Sequence, residues 1–204
     1  MTSQTEAKLI PWETSLRYDV FVIGLFALAL ILGWGLKTWV EGRSAILTDL
    51  DASLSLSYPA SWAPHREKGT LLSVRDLRSE GTFKTTFSVT GTALEPTSIR
   101  PVGELAKPFT EKKGQELTAY RVLEINDTQV DELEATRISY AYVEDPIGGT
   151  FQTSLPVVVQ GVDTLVIHGT NLYVFTFAAP AATFSQQAGT LDAILHSVRF
   201  HPEN

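Results

Sequence analysis

Four histidines, His65, His168, His196 and His201, are the side chains best suited to metal or acid–base chemistry, and their spacing supports neither. No H-x-x-x-H or H-E-x-x-H arrangement sets two imidazoles on one helix face, so the sequence gives no zinc or di-metal site. Serines are plentiful, but none sits in the G-x-S-x-G elbow that exposes a nucleophile on a strained turn. Gly148-Gly149 is followed by no Gly-Lys-Thr and no suitable helix, so it makes no phosphate loop. The acidic run from Asp127 to Glu134, with Asp127, Asp131, Glu132 and Glu134, is the best candidate for calcium or for a basic partner. It lacks the alternating oxygen ligands and central glycine of an EF-hand loop, and reads as a solvated hairpin tip. No catalytic, cofactor-binding or metal-ligating set is assigned, and the expectation is a protein that is not an enzyme.

The elements that would position any chemistry must come from 204 residues with a formal charge of -7 and no cysteine. Lys and Arg are scattered among acids instead of clustered, which argues against a nucleic-acid partner. Without cysteine there are no disulfides, no thiolate metal sites and no cysteine nucleophile.

From Val20 to Leu36 the chain reads VFVIGLFALALILGWGL, seventeen residues without a charge, between Asp19 and Lys37. At helical rise these span about 26 Å, against about 30 Å for a hydrocarbon core. Lys37 can snorkel and Thr38 to Val40 can extend the helix. Tyr18 at one end and Trp34 and Trp39 at the other suit the two headgroup layers. A cleaved signal peptide fits poorly, because Glu6, Glu13 and Asp19 precede the apolar run and no A-x-A site follows it. Residues 19–40 are therefore expected to be an uncleaved transmembrane helix in the lipid bilayer. Lys8 and Arg17 balance Lys37 and Arg43, so charge does not set the orientation. A short tail (1–18) before the helix and a whole domain after it favour an N-terminus in the cytoplasm and a C-terminal part outside it. Gly24, Ala27, Ala29, Gly33 and Gly35 offer small side chains where another membrane helix could dock.

After a connector over 41–53, the extracytoplasmic domain is expected over 54–204. Leu54, Leu56 and Tyr58 alternate as a first strand, ended by Pro59, so that Tyr58 and Trp62 flank a turn and pack into the core. Leu71–Leu77 and Phe83–Thr92 read as a hairpin through Glu80-Gly81. Val102, Leu105, Ala106 and Phe109 predict a helix interrupted by Pro108 and capped at Gly114. Leu117–Ile125 and Glu134–Val143 alternate again, with Ile138, Tyr140 and Tyr142 striping one face. Val157–Ile167 and Leu172–Phe177 form a last hairpin around Gly169-Thr170-Asn171, and Ala181–Ser197 predicts a closing helix. Residues 144–149, and Gly161 with Asp163, are expected as exposed turns where a partner could bind. The order gives an α+β class, an antiparallel sheet covered by helices.

Two stretches, LSLSYPASWAP and HGTNLYVFTFAAPAATFSQQAGTLDAILHSVRF, resemble the PsbP-like family of extracytoplasmic domains over roughly Leu54 to Phe200. The resemblance rests on Tyr58, Pro59 and Trp62 at the opening, on the strand bearing Phe175 and Phe177, on Phe184 at the helix start, and on Ser197-Val198-Arg199-Phe200 at the close. It implies a central antiparallel sheet sandwiched by helices. It also implies an accessory or assembly subunit of an integral membrane protein complex, most familiarly in photosynthesis or electron transfer, with no catalytic residues to carry over. The other reading is a membrane-tethered binding module holding a small apolar ligand or a cell-envelope component against the Tyr140 and Tyr142 face.

Overall fold

The computed structural model describes residues 22–34, 44–49, 53–95, 100–145 and 155–201, and the chain divides into two compact units, Met1–Arg43 and Ser44–Asn204. In the first unit, residues 22–34 form helix α1 with every side chain exposed. Thirteen residues reach about 20 Å. Among the described residues no helix is long and apolar enough to cross a membrane. The rest of the expected span, with Gly35 and Trp39, and the flanking Tyr18 lie outside the described residues.

The second unit runs β1 (Ser44–Asp49), β2 (Leu54–Pro59), β3 (Ala63–Pro64), β4 (Leu72–Arg75), β5 (Thr86–Ala93), α2 (Val102–Glu116), β6 (Arg121–Val130), β7 (Leu133–Glu144), β8 (Val157–His168), β9 (Asn171–Pro180), α3 (Phe184–Ser197) and β10 (Arg199–Phe200). A small sheet has the order β1-β2-β10, and a seven-stranded sheet has the order β3-β4-β5-β9-β8-β7-β6, antiparallel throughout. This is an α+β fold with the large sheet between layers.

Strand alternation divides the large sheet into two faces. Phe87, Val89, Val162, Tyr173, Phe175 and Phe177 point to one side, where they meet Leu54 and Leu56 of the small sheet and Leu191, Ile194 and Leu195 of α3. Trp62 joins this core 6.3 Å from Phe177, and its N–H donates to the Pro59 carbonyl at 3.0 Å, closing the turn after β2. Tyr58, Phe184 and Phe200 pack at its margin. Ile138, Tyr140, Tyr142, Val159, Leu165 and Val174 point to the other side, under Val102 and Ala106 of α2.

Several expectations need correction. The connector over 41–53 contains β1, an edge strand whose Ile46 is exposed. Helix α2 runs unbroken through Pro108. Pro108 is exposed, so the carbonyl that its missing N–H leaves without a helical donor can turn to water. Gly114 lies inside α2, and the chain reverses at Ala119, with φ 54°. The acidic run is mostly strand, because β6 and β7 extend until only Asp131 and Glu132 remain as the turn. Gly161 and Asp163 are not a turn but the buried middle of β8. The turn expected over 144–149 lies largely outside the described residues.

Candidate functional site

The one charged side chain buried completely among the described residues is Asp163, in the middle of β8 on the α2 side of the large sheet. A bare carboxylate there would cost several kcal/mol, so its partners decide whether the fold tolerates it. Lys113, from the last turn of α2, donates to Asp163 Oδ2 at 2.6 Å and to the Tyr140 hydroxyl at 2.7 Å. Thr176 Oγ1, on the neighbouring strand β9, donates to Asp163 Oδ1 at 2.7 Å. Tyr140 donates to the same oxygen at 3.4 Å. The Lys113 ammonium also lies 4.5 Å from the centre of the Tyr140 ring and 5.5 Å from that of Phe109.

Glycine at 161 makes this arrangement possible. It faces Tyr140 across the β7–β8 ladder, and a Cβ there would lie 2.4 Å from Tyr140 Cζ. The phenol therefore lies flat over the strand, with Tyr120 at 5.2 Å and Tyr142 at 6.1 Å. Burial pushes the Asp163 carboxyl above the ordinary range, while Lys113, Thr176 and Tyr140 pull it down. Burial raises all three tyrosines, Tyr120 to about 12, and the Asp163 charge adds to each shift.

Lys113, Asp163, Thr176 and Tyr140 direct their donors and acceptors at one another, while the Tyr120 hydroxyl beside them is buried without a partner. The chemistry of the four is that of a clamp between α2 and β8. Sequence reasoning placed Tyr140 and Tyr142 as a possible ligand wall and missed Lys113 and Asp163. The available signal was one acid within the apolar run VVVQGVDTLVI.

A second feature lies at the far edge of the sheet. A hollow of about 1010 Å³ surrounds the outer edge of β6 and reaches both faces. On the α2 side it is lined by Pro101 to Gly103, Asp127, Gln129 and Glu134; on the α3 side by Thr128, Arg137, His196 and Arg199. The acidic run is thus not simply solvated. Asp131 accepts from the Phe200 N–H at 2.7 Å and lies 3.6 Å from Arg199, tying the β6–β7 turn to β10.

The four histidines do not converge. His168 stacks on Phe200, His196 Nδ1 donates to the Asp192 carbonyl at 2.7 Å, His201 lies 3.0 Å from Ser55 Oγ, and His65 is exposed. Among the described residues no three His, Asp or Glu side chains come together to hold a metal ion. Of the small residues expected on a docking face, Gly24 and Gly33 have nothing near them, and Ala27, Ala29 and Trp34 are exposed on α1.

No protein-family model and no curated protein matches the chain. Solved structures do. Cyanobacterial PsbP from Synechocystis is 13% identical, covering 78% of this chain and 92% of its own, with a TM-score of 0.59. The fold is PsbP-like. Mycobacterium tuberculosis LpqN, described as involved in cell envelope biogenesis, is 9% identical with a TM-score of 0.52, covering 78% of this chain and 91% of its own. The Saccharomyces cerevisiae Ran-binding protein Mog1p is 12% identical with a TM-score of 0.52, covering 78% and 95%. The PsbP-like framework is thus shared by proteins whose descriptions name unrelated tasks, and the residues of each site must argue function.

Proposed function

We propose that the chain is a non-catalytic accessory or assembly subunit of a larger membrane complex, held by one N-terminal helix and binding through its PsbP-like domain. The observation that supports this most is a conjunction in one chain. A charge-free apolar stretch from Val20 to Leu36 precedes a domain whose fully buried carboxylate, Asp163, is bonded by Lys113, Thr176 and Tyr140 of the same domain. An inward-directed cluster leaves the surface to do the work, and surfaces bind. The competing reading, a tethered module for a small apolar ligand, relied on the Tyr140 and Tyr142 face. That face is filled by α2.

A mild-detergent pull-down of the full chain from its native membrane, followed by mass spectrometry, tests the reading. Integral membrane proteins at fixed stoichiometry are the expected result. Recovery of the chain alone, or with soluble proteins only, overturns it.

A further inference from the structure

The large sheet ends in two different ways. At one edge, β3 has two residues, one of them Pro64, which has no N–H to offer. At the other, β6 has ten residues, and among the described residues no strand pairs with its outer side. A bulge between Val122 and Glu124 disturbs its start. From Glu124 to Val130 the strand then runs in register with β7, without a bulge, a proline or a lysine, the usual guards of an edge. In an antiparallel ladder alternate residues turn their N–H and C=O groups away from the paired neighbour. This stretch therefore presents a row of main-chain donors and acceptors to the hollow that surrounds it.

The two sides of the hollow carry different chemistry. Towards α2 stand Asp127 and Glu134, neither in an ion pair among the described residues, with Gln129 between them. Behind them Thr136 Oγ1 is fully buried without a hydrogen-bond partner. It would lie 3.8 Å from a Cβ at Gly103, and Asp127 Oδ1 would lie 3.9 Å from the same point. Towards α3 the arginines are already engaged: Arg137 Nη2 donates to Asp192 at 3.1 Å, and Arg199 faces Asp131. Arg137 Nε, however, is buried with no acceptor.

We propose that the outer edge of β6 receives an extended segment of a partner protein as an eighth strand, with Lys or Arg at alternate positions facing α2 and Ser, Thr or Asn at those facing α3. Main-chain bonds supply the affinity of such strand addition, and the alternating side chains supply the specificity. The basic positions meet Asp127 and Glu134, and the short polar positions lie beside Asn126 and Thr128, the β6 residues on the α3 side. A second copy of this chain is a poor occupant. The stretch Glu124–Val130 carries Glu124 and Asp127 and no lysine or arginine, so a copy of it brings no basic side chain to the acids that line the hollow.

The inference rests on the reading of the domain as a binding module, and its test is separate from the pull-down. A labelled peptide of alternating Lys and Thr is titrated into the full chain in detergent micelles, and amide hydrogen exchange maps the contact. Saturable binding with new protection over Glu124–Val130 is the expected result. Backbone N-methylation of the peptide at one alternate set of residues, either all lysines or all threonines, keeps every charge but blocks one pairing edge. One of these two forms should bind at least about tenfold more weakly, and the Asp127→Asn/Glu134→Gln variant should lose a similar factor for the unmethylated peptide. Equal binding by both methylated forms, or protection elsewhere, overturns strand addition. Concentration-dependent dimers with β6 protected in the absence of peptide overturn the choice of partner. If the pull-down recovers a complex while the peptide fails, only the edge proposal falls.

Discussion

On one face of the large sheet, Phe87, Phe175 and Phe177 meet α3 and the small sheet with no charged group among them; on the other, α2 lowers Lys113 onto Asp163 and Tyr140. The first face is closed by burial, which is non-directional and roughly proportional to the area covered. Any filling of similar volume would serve it nearly as well. The second is closed by bonds that hold at one geometry. A slip of α2 by one residue turns Lys113 about 100° away from Asp163. The apolar face supplies most of the stability, and the polar face fixes where its helix sits.

The largest effects should come from breaking each face once. Phe177→Ala and Lys113→Met should each cost about 3–5 kcal/mol, the first by opening a cavity and the second by leaving a buried carboxylate with hydroxyl partners but no cation. A second change separates them. Lys113→Met with Asp163→Leu should recover most of the loss, because an apolar pair can replace an ion pair, whereas Phe177→Ala with Phe87→Ala should only deepen it. Urea unfolding of the full chain in detergent reads all four; a double variant at 113 and 163 no better than the single would refute the clamp. Gly161→Ala should cost about 1–3 kcal/mol by driving Tyr140 off the strand, and Tyr140→Leu in the same chain should return part of it. Ser197→Ala should cost about 1 kcal/mol. Its hydroxyl joins the end of α3 to both the N–H and the carbonyl of Ser57.

The smallest effect at neutral pH should be that of Tyr120→Phe, within about 0.5 kcal/mol or slightly stabilising, because the Tyr120 hydroxyl is buried without a partner. Alkaline pH enlarges it. Unfolded tyrosine ionises near 10.0, whereas Tyr120 in the folded chain stays protonated to about 12. Its contribution is therefore intact below pH 10.0 and lost as pH climbs through about 12. Phenolate absorbance alongside circular dichroism should show a shallower alkaline loss in Tyr120→Phe than in the parent chain. Equal slopes would place the titration elsewhere.

What could be read from the sequence follows the same division. Period-2 and period-3.6 patterns found the apolar face, since Phe175, Phe177, Leu191 and Ile194 announce themselves by spacing alone. A pairing across fifty positions, from Lys113 to Asp163, has no periodic signature, and the glycine two places before Asp163 suggested a turn, so the clamp stayed hidden. Strand β1 escaped because Ile46 sets an apolar side chain on its exposed face, so its hydropathy does not follow the alternation of its burial. Pro108 misled because proline interrupts a helix by a lost bond, and an exposed carbonyl can recover that bond from water. The β6 hollow is a property of what does not pair, which no local pattern encodes.

Strand β2 takes β1 as one neighbour and β10 as the other, so Ser55 sits opposite Arg199. Contacts this distant along the chain are the slow ones to form. In a chain being synthesised, Leu54 and Leu56 have only half of their sheet until Phe200 has emerged. The hairpins of β6 to β9 are complete well before that. The small sheet must then close onto a large sheet that already exists, which makes it the last part of this domain to become native and, until it does, the part that leaves Phe87 and Phe177 open to whatever else is nearby.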